Sequence, residues 1–200
     1  KVQAGLVGVD RVFDILEAQT VIPEKADPKP LARGPHSVIF DKVSFKYETE
    51  LVLEDIDITA APGEILALVG MSGGGKTSLV NLIPRFYDVS RGAILIDGID
   101  LRAVAVSDLR RQVGVVLQDA FLFAGDIEQN IRLGNPEIDP ERIRNAARTV
   151  HADSFIEALP NGYHTLLTER GSTLSIGQRQ LLSLARVLAY DPAILVLDEA

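Results

Sequence analysis

Two hundred residues, 46% of them hydrophobic, suffice for one sizeable core or for one core plus a small lobe. The balance of 20 basic against 28 acidic residues, net −8, argues against an extended nucleic-acid interface, which shows a basic stripe or domain. Cysteine is absent, which excludes disulfides, a thiolate nucleophile and cysteine-based zinc sites, and no apolar run approaches the roughly 18 residues of a membrane span.

Val2, Leu6, Val9, Phe13 and Leu16 fall on one face of an expected helix over residues 1–20. Gly5 and Gly8 lower its propensity, so it would depend on packing against something else. Pro23, Pro28, Pro30, Gly34 and Pro35 mark residues 21–36 as a linker, with the domain proper expected over 37–200. Val38–Phe45, with Asp41-Lys42 as a turn, and Leu51–Thr59 read as two short strands. Pro62-Gly63 is a turn signal ahead of Ile65-Leu66-Ala67-Leu68-Val69, which reads as a buried strand. Leu79, Val80, Leu82 and Ile83 then have the spacing of one helix face. Ala93–Ile96 is a strand running into an Asp97-Gly98 turn, and Val113–Leu117 is another. Strand alternation is missing from about Glu128 to Leu159, where Asp139 can cap a helix with Pro140 at its first position. Gly177–Tyr190 reads as a helix stopped by Asp191-Pro192, and the strand Ile194–Leu197 follows. The pattern is α/β with a helical insert over about 119–175.

Between the expected strand Ile65–Val69 and the helix after it lies Gly70-Met71-Ser72-Gly73-Gly74-Gly75-Lys76-Thr77, a G-x-x-x-x-G-K-T loop. Glycines let successive N–H groups turn toward one point, the helix dipole adds partial positive charge there, and Lys76 adds a full one. Such a loop cradles nucleotide phosphates, and Thr77 can offer a hydroxyl to a Mg²⁺ on them. A second motif is Ile194-Leu195-Val196-Leu197-Asp198-Glu199, an apolar strand delivering two carboxylates to the rim of a sheet. There Asp198 can join the Mg²⁺ shell, and Glu199 can orient or deprotonate a water. A third is Leu174-Ser175-Ile176-Gly177-Gln178-Arg179-Gln180, where Ser175 and Gln178 have capping-box spacing. The same helix N-terminus can bind an anion through Ser175 and the Gly177 N–H, so capping and binding both stay open. His36, His151 and His164 have no metal-ligand spacing.

Gly70–Thr77, Leu174–Gln180 and Ile194–Glu199, in this order, resemble the ATP-binding cassette ATPase family, in particular the nucleotide-binding domain of exporter-type ABC transporters. The resemblance covers residues 37–200. It implies a P-loop NTPase fold, with a RecA-like parallel-sheet core, an antiparallel β subdomain and the helical insert. It also implies ATP and Mg²⁺ as the bound groups. Gly70, Ser72, Gly73, Gly74, Gly75, Lys76, Thr77 and Ser78 would hold the phosphates, with Thr77, Gln118 and Asp198 around the metal. Glu199 and Gln118 would be catalytic. Tyr47, 23 residues before Gly70, stands where the family has an aromatic that stacks on adenine, and a ring stack would also admit some GTP. Ser175, Gly177 and Gln178 match the signature that meets the γ-phosphate held by an opposite subunit, although Ile176 replaces the usual first glycine. Thr168-Glu169-Arg170-Gly171 resembles an exporter element touching the membrane domain, and Arg85-Phe86-Tyr87-Asp88 and Phe121-Leu122-Phe123-Ala124-Gly125 also look exporter-like, with their aromatics in the core or at a docking surface.

The implied partners are a second nucleotide-binding domain and a transmembrane domain of the same polypeptide, at the cytoplasmic face of a membrane, with no nucleic acid. Residues 1–20 would then be the cytoplasmic end of the last transmembrane helix. Lys1 at the start and the strand ending at Ala200 suggest a piece of a longer protein, one expected to hydrolyse ATP weakly or not at all by itself. The competing expectations are a non-transport cassette ATPase of DNA repair or translation, and a non-hydrolytic nucleotide-binding module.

Overall fold

The computed structural model describes residue 13 and residues 22–71, 73–117, 120–168 and 171–198. The helix expected over residues 1–20 therefore lies outside the described residues, apart from Phe13, which is helical and half exposed.

Strands β1 (Val38–Tyr47) and β2 (Glu50–Ala60) form an antiparallel hairpin, closed by a turn in which Glu48 has φ 47°. β3 (Arg91–Ile96) pairs with the other edge of β1, and β4 (Ile99–Asp100) completes the order β2-β1-β3-β4. The β3–β4 connection is the expected Asp97-Gly98 turn, with φ 50° and 77°, both positive as a two-residue hairpin of this kind requires. Asp41-Lys42 corrects the sequence expectation of a turn. The chain continues as one strand through a bulge there, with Lys42 at φ 47° and register shifts on both partner strands. The extra residue resets the alternation, so Phe40 and Val43 are both buried although three positions apart. Gly92 faces the bulge at φ 78°, and a Cβ there would collide with the carbonyl oxygens of Asp41 and Lys42.

Helix α1 (Lys76–Leu82) lays Leu79, Val80 and Leu82 against this sheet in a first core with Phe40, Val43, Phe45 and Ile96. Helix α2 (Val106–Gln112) adds Leu109, and β5 (Val113–Val116) leads out of it. β5 pairs in parallel with β8 (Ile194–Leu197), and the Asp198 N–H donates to the Val116 carbonyl at 3.0 Å, extending the ladder by one residue. The run Ile65–Val69, expected as a buried strand, differs in the structure. It joins no ladder among the described residues, and Ile65 and Val69 are 96% and 94% exposed. An apolar run supplies β propensity, but a strand needs a neighbour to receive its N–H and C=O groups, and this run pairs with none of the described strands, although Leu68 packs against the first core.

The parallel β5–β8 pair requires a crossover, and helices supply it. α3 (Ile127–Arg132), α4 (Pro140–Thr149) and α5 (Asp153–Glu157) form a second core with α6 (Ile176–Ala189). A short pair, β6 (Gly125–Asp126) with β7 (Leu166–Leu167), closes its edge. Asp139 caps α4 with Pro140 in its first turn, as the sequence predicts, and Asp126 with Gln129 builds a capping box on α3. On α6 the fully buried residues are Leu182, Ala185 and Ala189, whereas Leu181, Leu184 and Leu188 are only partly buried. The opposite side of α6 presses on β5. A Cβ at Gly114 would collide with the Val187 side chain, so only glycine allows this approach.

Residues 22–36 are strapped to the domain rather than free. Pro23 O accepts from Arg85 Nη2 at 3.0 Å, Glu24 Oε1 accepts the Val106 N–H at 3.0 Å, and the Lys29 N–H donates to Ala103 O at 2.7 Å. Among the described residues no helix is long and apolar enough to cross a membrane.

Candidate functional site

The phosphate-loop sequence forms the turn ahead of α1. Gly73 and Gly75 have φ 79° and 81°, a left-handed conformation that costs glycine little and other residues more. Gly75 is constrained twice, because a Cβ there would meet Leu53 Cδ2 at 2.7 Å. α1 has no side-chain cap and no acidic residue in its first turn, so its leading N–H groups are left for an anion. Lys76 curls back over the loop, donating from Nζ to Gly70 O at 2.9 Å and Met71 O at 2.8 Å. These carbonyls satisfy an ammonium that forms no ion pair among the described residues, an arrangement that phosphate oxygens can replace.

The C-terminal end of β8 brings the second motif to the same place. Thr77 Oγ1 donates to Asp198 Oδ1 at 3.4 Å, joining residues 121 apart in sequence. A hydroxyl and a carboxylate set this close, beside a glycine loop and a lysine, are the donor set suited to a hard cation bound to phosphates. The residues present therefore fit a magnesium–nucleotide complex.

Tyr47 ends β1, and its hydroxyl donates to Ser78 Oγ at 3.3 Å. Ser78 itself is buried. Gly70, Gly73, Gly74, Gly75, Lys76, Thr77, Ser78, Tyr47 and Asp198 thus gather around the start of α1. Ser72, Gln118 and Glu199 lie outside the described residues, as do Glu169 and Arg170.

Ser175, Gly177 and Gln178 are not joined to that cluster by any hydrogen bond among the described residues. They form the exposed start of α6 as a reciprocal capping box: Gln178 N–H donates to Ser175 Oγ at 3.2 Å and Ser175 N–H to Gln178 Oε1 at 2.9 Å. Both Ser175 and Gly177 are exposed, and a Cβ at Gly177 would meet nothing within 4 Å. The Ser175 hydroxyl accepts within the box and keeps its own proton free to donate outward.

Three arrangements escaped the sequence. His36 is buried between Asp97 and Gln112, with Nδ1 2.7 Å from Asp97 Oδ2 and Nε2 2.7 Å from Gln112 Oε1. Arg186 of α6 donates to the carbonyls of Phe121 and Asn130, each at 2.9 Å, and burial pulls its guanidinium below the ordinary value. Tyr87 meets Tyr47 edge to face. The signal for Arg186 is its place on the apolar side of α6, between Leu182 and Ala189; His36 joins distant segments without a local signature, and the Arg85–Asp88 run marks Tyr87 without pointing to its contact with Tyr47.

A family profile described as "ABC transporter" matches residues 53–200. A protein named ATP-dependent lipid A-core flippase from Desulfotalea psychrophila (strain LSv54 / DSM 12343) is 48% identical over 199 residues, covering 100% of this chain and 35% of that protein. The putative multidrug export ATP-binding/permease protein YgaD of Bacillus subtilis (strain 168) is 46% identical over 197 residues, 98% of this chain and 34% of its own length. The chain spans about a third of the length of these curated relatives. Among solved structures, a bacterial Atm1-family ABC exporter with ATP bound superposes with a TM-score of 0.89 at 35% identity, covering 99% of this chain and 35% of that one.

Proposed function

The chain belongs to the ABC transporter family of ATP-binding domains, and from that premise we propose that it is the ATP-hydrolysing domain of an exporter, working as one of two domains that close head to tail on ATP. The observation that carries this proposal is the approach of Thr77 to Asp198 beside the glycine loop and Lys76, because it unites both halves of a phosphate and metal site.

Lys76 would exchange the carbonyls of Gly70 and Met71 for phosphate oxygens, and the N–H groups of the Gly73–Thr77 turn would hold the rest. Tyr47 would turn its ring to the base and Ser78 its hydroxyl to a phosphate. Thr77, Asp198 and Gln118 would hold Mg²⁺, which when bound neutralises charge on the phosphates. Glu199 would take the proton of the attacking water, and Gln118 would orient that water. Ser175 and the Gly177 N–H of the other domain would complete the site from across the interface, which is why an exposed, capped helix start stands apart from the loop in this chain. Closure then assembles the site and hydrolysis releases it, coupling chemistry to motion.

The rest of the exporter would meet the domain at its exposed aromatic side. Phe86, Leu117, Phe121 and Phe123 are all about half exposed. Phe86 and Leu117 line a groove of about 640 Å³ with Ile22, Phe45 and Asn81. Residues 1–20 and the strap at 21–36 would link the domain to the membrane-spanning part of the same polypeptide, at its cytoplasmic face.

The test is Glu199→Gln in the complete protein. ATP binding is retained, and turnover falls by at least about a hundredfold, the lower end of what a general base contributes. Undiminished hydrolysis would overturn the assignment.

A further inference from the structure

The nucleotide site has a neighbour that the loop motifs do not account for. Phe45, Tyr47 and Tyr87 form a mutual cluster of rings. Tyr87 meets Tyr47 at 5.1 Å between centroids with the planes at 89°, and Phe45 meets Tyr47 at 4.7 Å and 81°. Tyr87 also touches Phe45 at 5.5 Å. Edge-to-face pairs at these separations are the favoured aromatic geometry. Phe45 is 2% exposed and belongs to the core, whereas Tyr87 is 44% exposed and contributes little to it.

Tyr87 is itself held rigidly. Arg85, 2% exposed, grips Asp88 through Nε at 2.6 Å and Nη2 at 3.0 Å, clamping the turn that contains Phe86 and Tyr87. Arg110 ties down the same turn by donating to Pro84 O and Arg85 O, each at 3.0 Å. The two bonds to Asp88 fix the turn between them, while Nη2 also holds Pro23 O. Tyr47 is partly buried at the edge of the first core, and beyond the rings its hydroxyl donates to Ser78 Oγ at 3.3 Å.

We propose that Tyr87 is a positioning residue for the nucleobase site, bracing the Tyr47 ring in the orientation that stacks on a base. The inference rests on the proposal above that Tyr47 stacks on the nucleotide. Without the brace, Tyr47 spreads over several rotamers, and apparent affinity falls in proportion to the fraction left in the competent one. Loss of one edge-to-face pair makes that a roughly three- to tenfold effect.

The experiment measures KM for ATP and kcat in the complete protein carrying Tyr87→Ala, Tyr87→Leu, Tyr87→Phe, Tyr47→Ala or Tyr47→Ala with Tyr87→Ala. Tyr87→Ala and Tyr87→Leu are expected to raise KM about three- to tenfold with a smaller fall in kcat, and Tyr87→Phe to return KM to within about twofold of wild type. In the Tyr47→Ala background, Tyr87→Ala should add nothing, since it acts only through that ring. Additive effects in the double variant, or a wild-type KM in Tyr87→Leu, would overturn the inference. If Tyr47→Ala leaves KM unchanged, the stacking role falls and this inference with it. If Tyr47→Ala raises KM while Tyr87→Ala does not, stacking stands and the brace alone is refuted. Should Tyr87→Ala fail to fold, Tyr87→Leu keeps the apolar bulk and decides the question.

Discussion

His36 offers a sharp test of how residues 22–36 are attached, because its hydrogen bonds dictate its charge. Gln112 Nε2 donates to Leu31 O at 3.2 Å and Ala32 O at 2.8 Å, so the Gln112 side-chain oxygen must face His36. Asp97, already accepting from the Ser37 N–H at 2.8 Å, offers only carboxylate oxygens. Both ring nitrogens must therefore donate, which only the imidazolium can do. Burial would lower the His36 pKa, but the bonds to Gln112 and Asp97 outweigh it and raise it above the ordinary 6.5. The His36 bond, then the Ser37 N–H, lowers Asp97 below its ordinary 3.8.

The sign follows from these directions. A group with a raised folded pKa contributes stability fully present below its unfolded value, about 6.5, and lost as pH rises through the folded value. Asp97 contributes above about 3.8 and loses that contribution in acid. The latch is therefore strongest between these two values. Two charge-assisted bonds would be worth about 1.5–3 kcal/mol each, and the Asp97 side chain is 42% exposed, so roughly 2–4 kcal/mol in total is the screened figure. For a protein of this size that corresponds to a Tm difference of about 5–15 °C. Thermal unfolding of wild type and His36→Ala at pH 6 and pH 9 should show a gap of that size at pH 6, shrinking at pH 9. An equal gap at both pH values would refute a protonated latch.

Arg186→Met keeps the apolar stem but strands the Phe121 and Asn130 carbonyls, and urea unfolding should register a loss of about 2–4 kcal/mol; less than about 0.5 kcal/mol would mean that water replaces the guanidinium freely. Arg186→Lys should not rescue it, because a point ammonium cannot span both carbonyls in the planar fork. Ile143→Ala, at a site 1% exposed in the helical core, should cost about 2–5 kcal/mol in the same assay, and a negligible loss would show that this core is not packed as described.

What could be read in the sequence was what short stretches decide for themselves. The Ser175–Gln178 and Asp139–Pro140 caps and the Asp97-Gly98 turn are set within four residues, and each forms. The bulge at Asp41–Val43 depends on Gly92, about fifty residues away, so locally it resembled a turn. Ile65–Val69 has the composition of a strand, but a ladder is a property of two segments, and composition carries no word of the second. The prolines of 23–35 give that stretch the composition of a linker, while its strapping depends on Arg85, Val106 and Gln112, far along the chain. Thr77 and Asp198 are farther apart still, and their contact is nevertheless legible because each sits in a motif whose expected chemistry needs the other. His36, Tyr87 and Arg186 belong to no such motif, and only the packed structure reveals their partners.

The central claim is that the Gly70–Thr77 turn and Lys76 bind the phosphates of ATP. The direct measurement is the equilibrium affinity of the complete protein for ATP in the presence of Mg²⁺, with and without Lys76→Ala. Loss of the ammonium should weaken binding by at least about tenfold, some 1.4 kcal/mol, with Tm in the absence of nucleotide little changed. An ATP affinity equal to that of wild type would contradict the account.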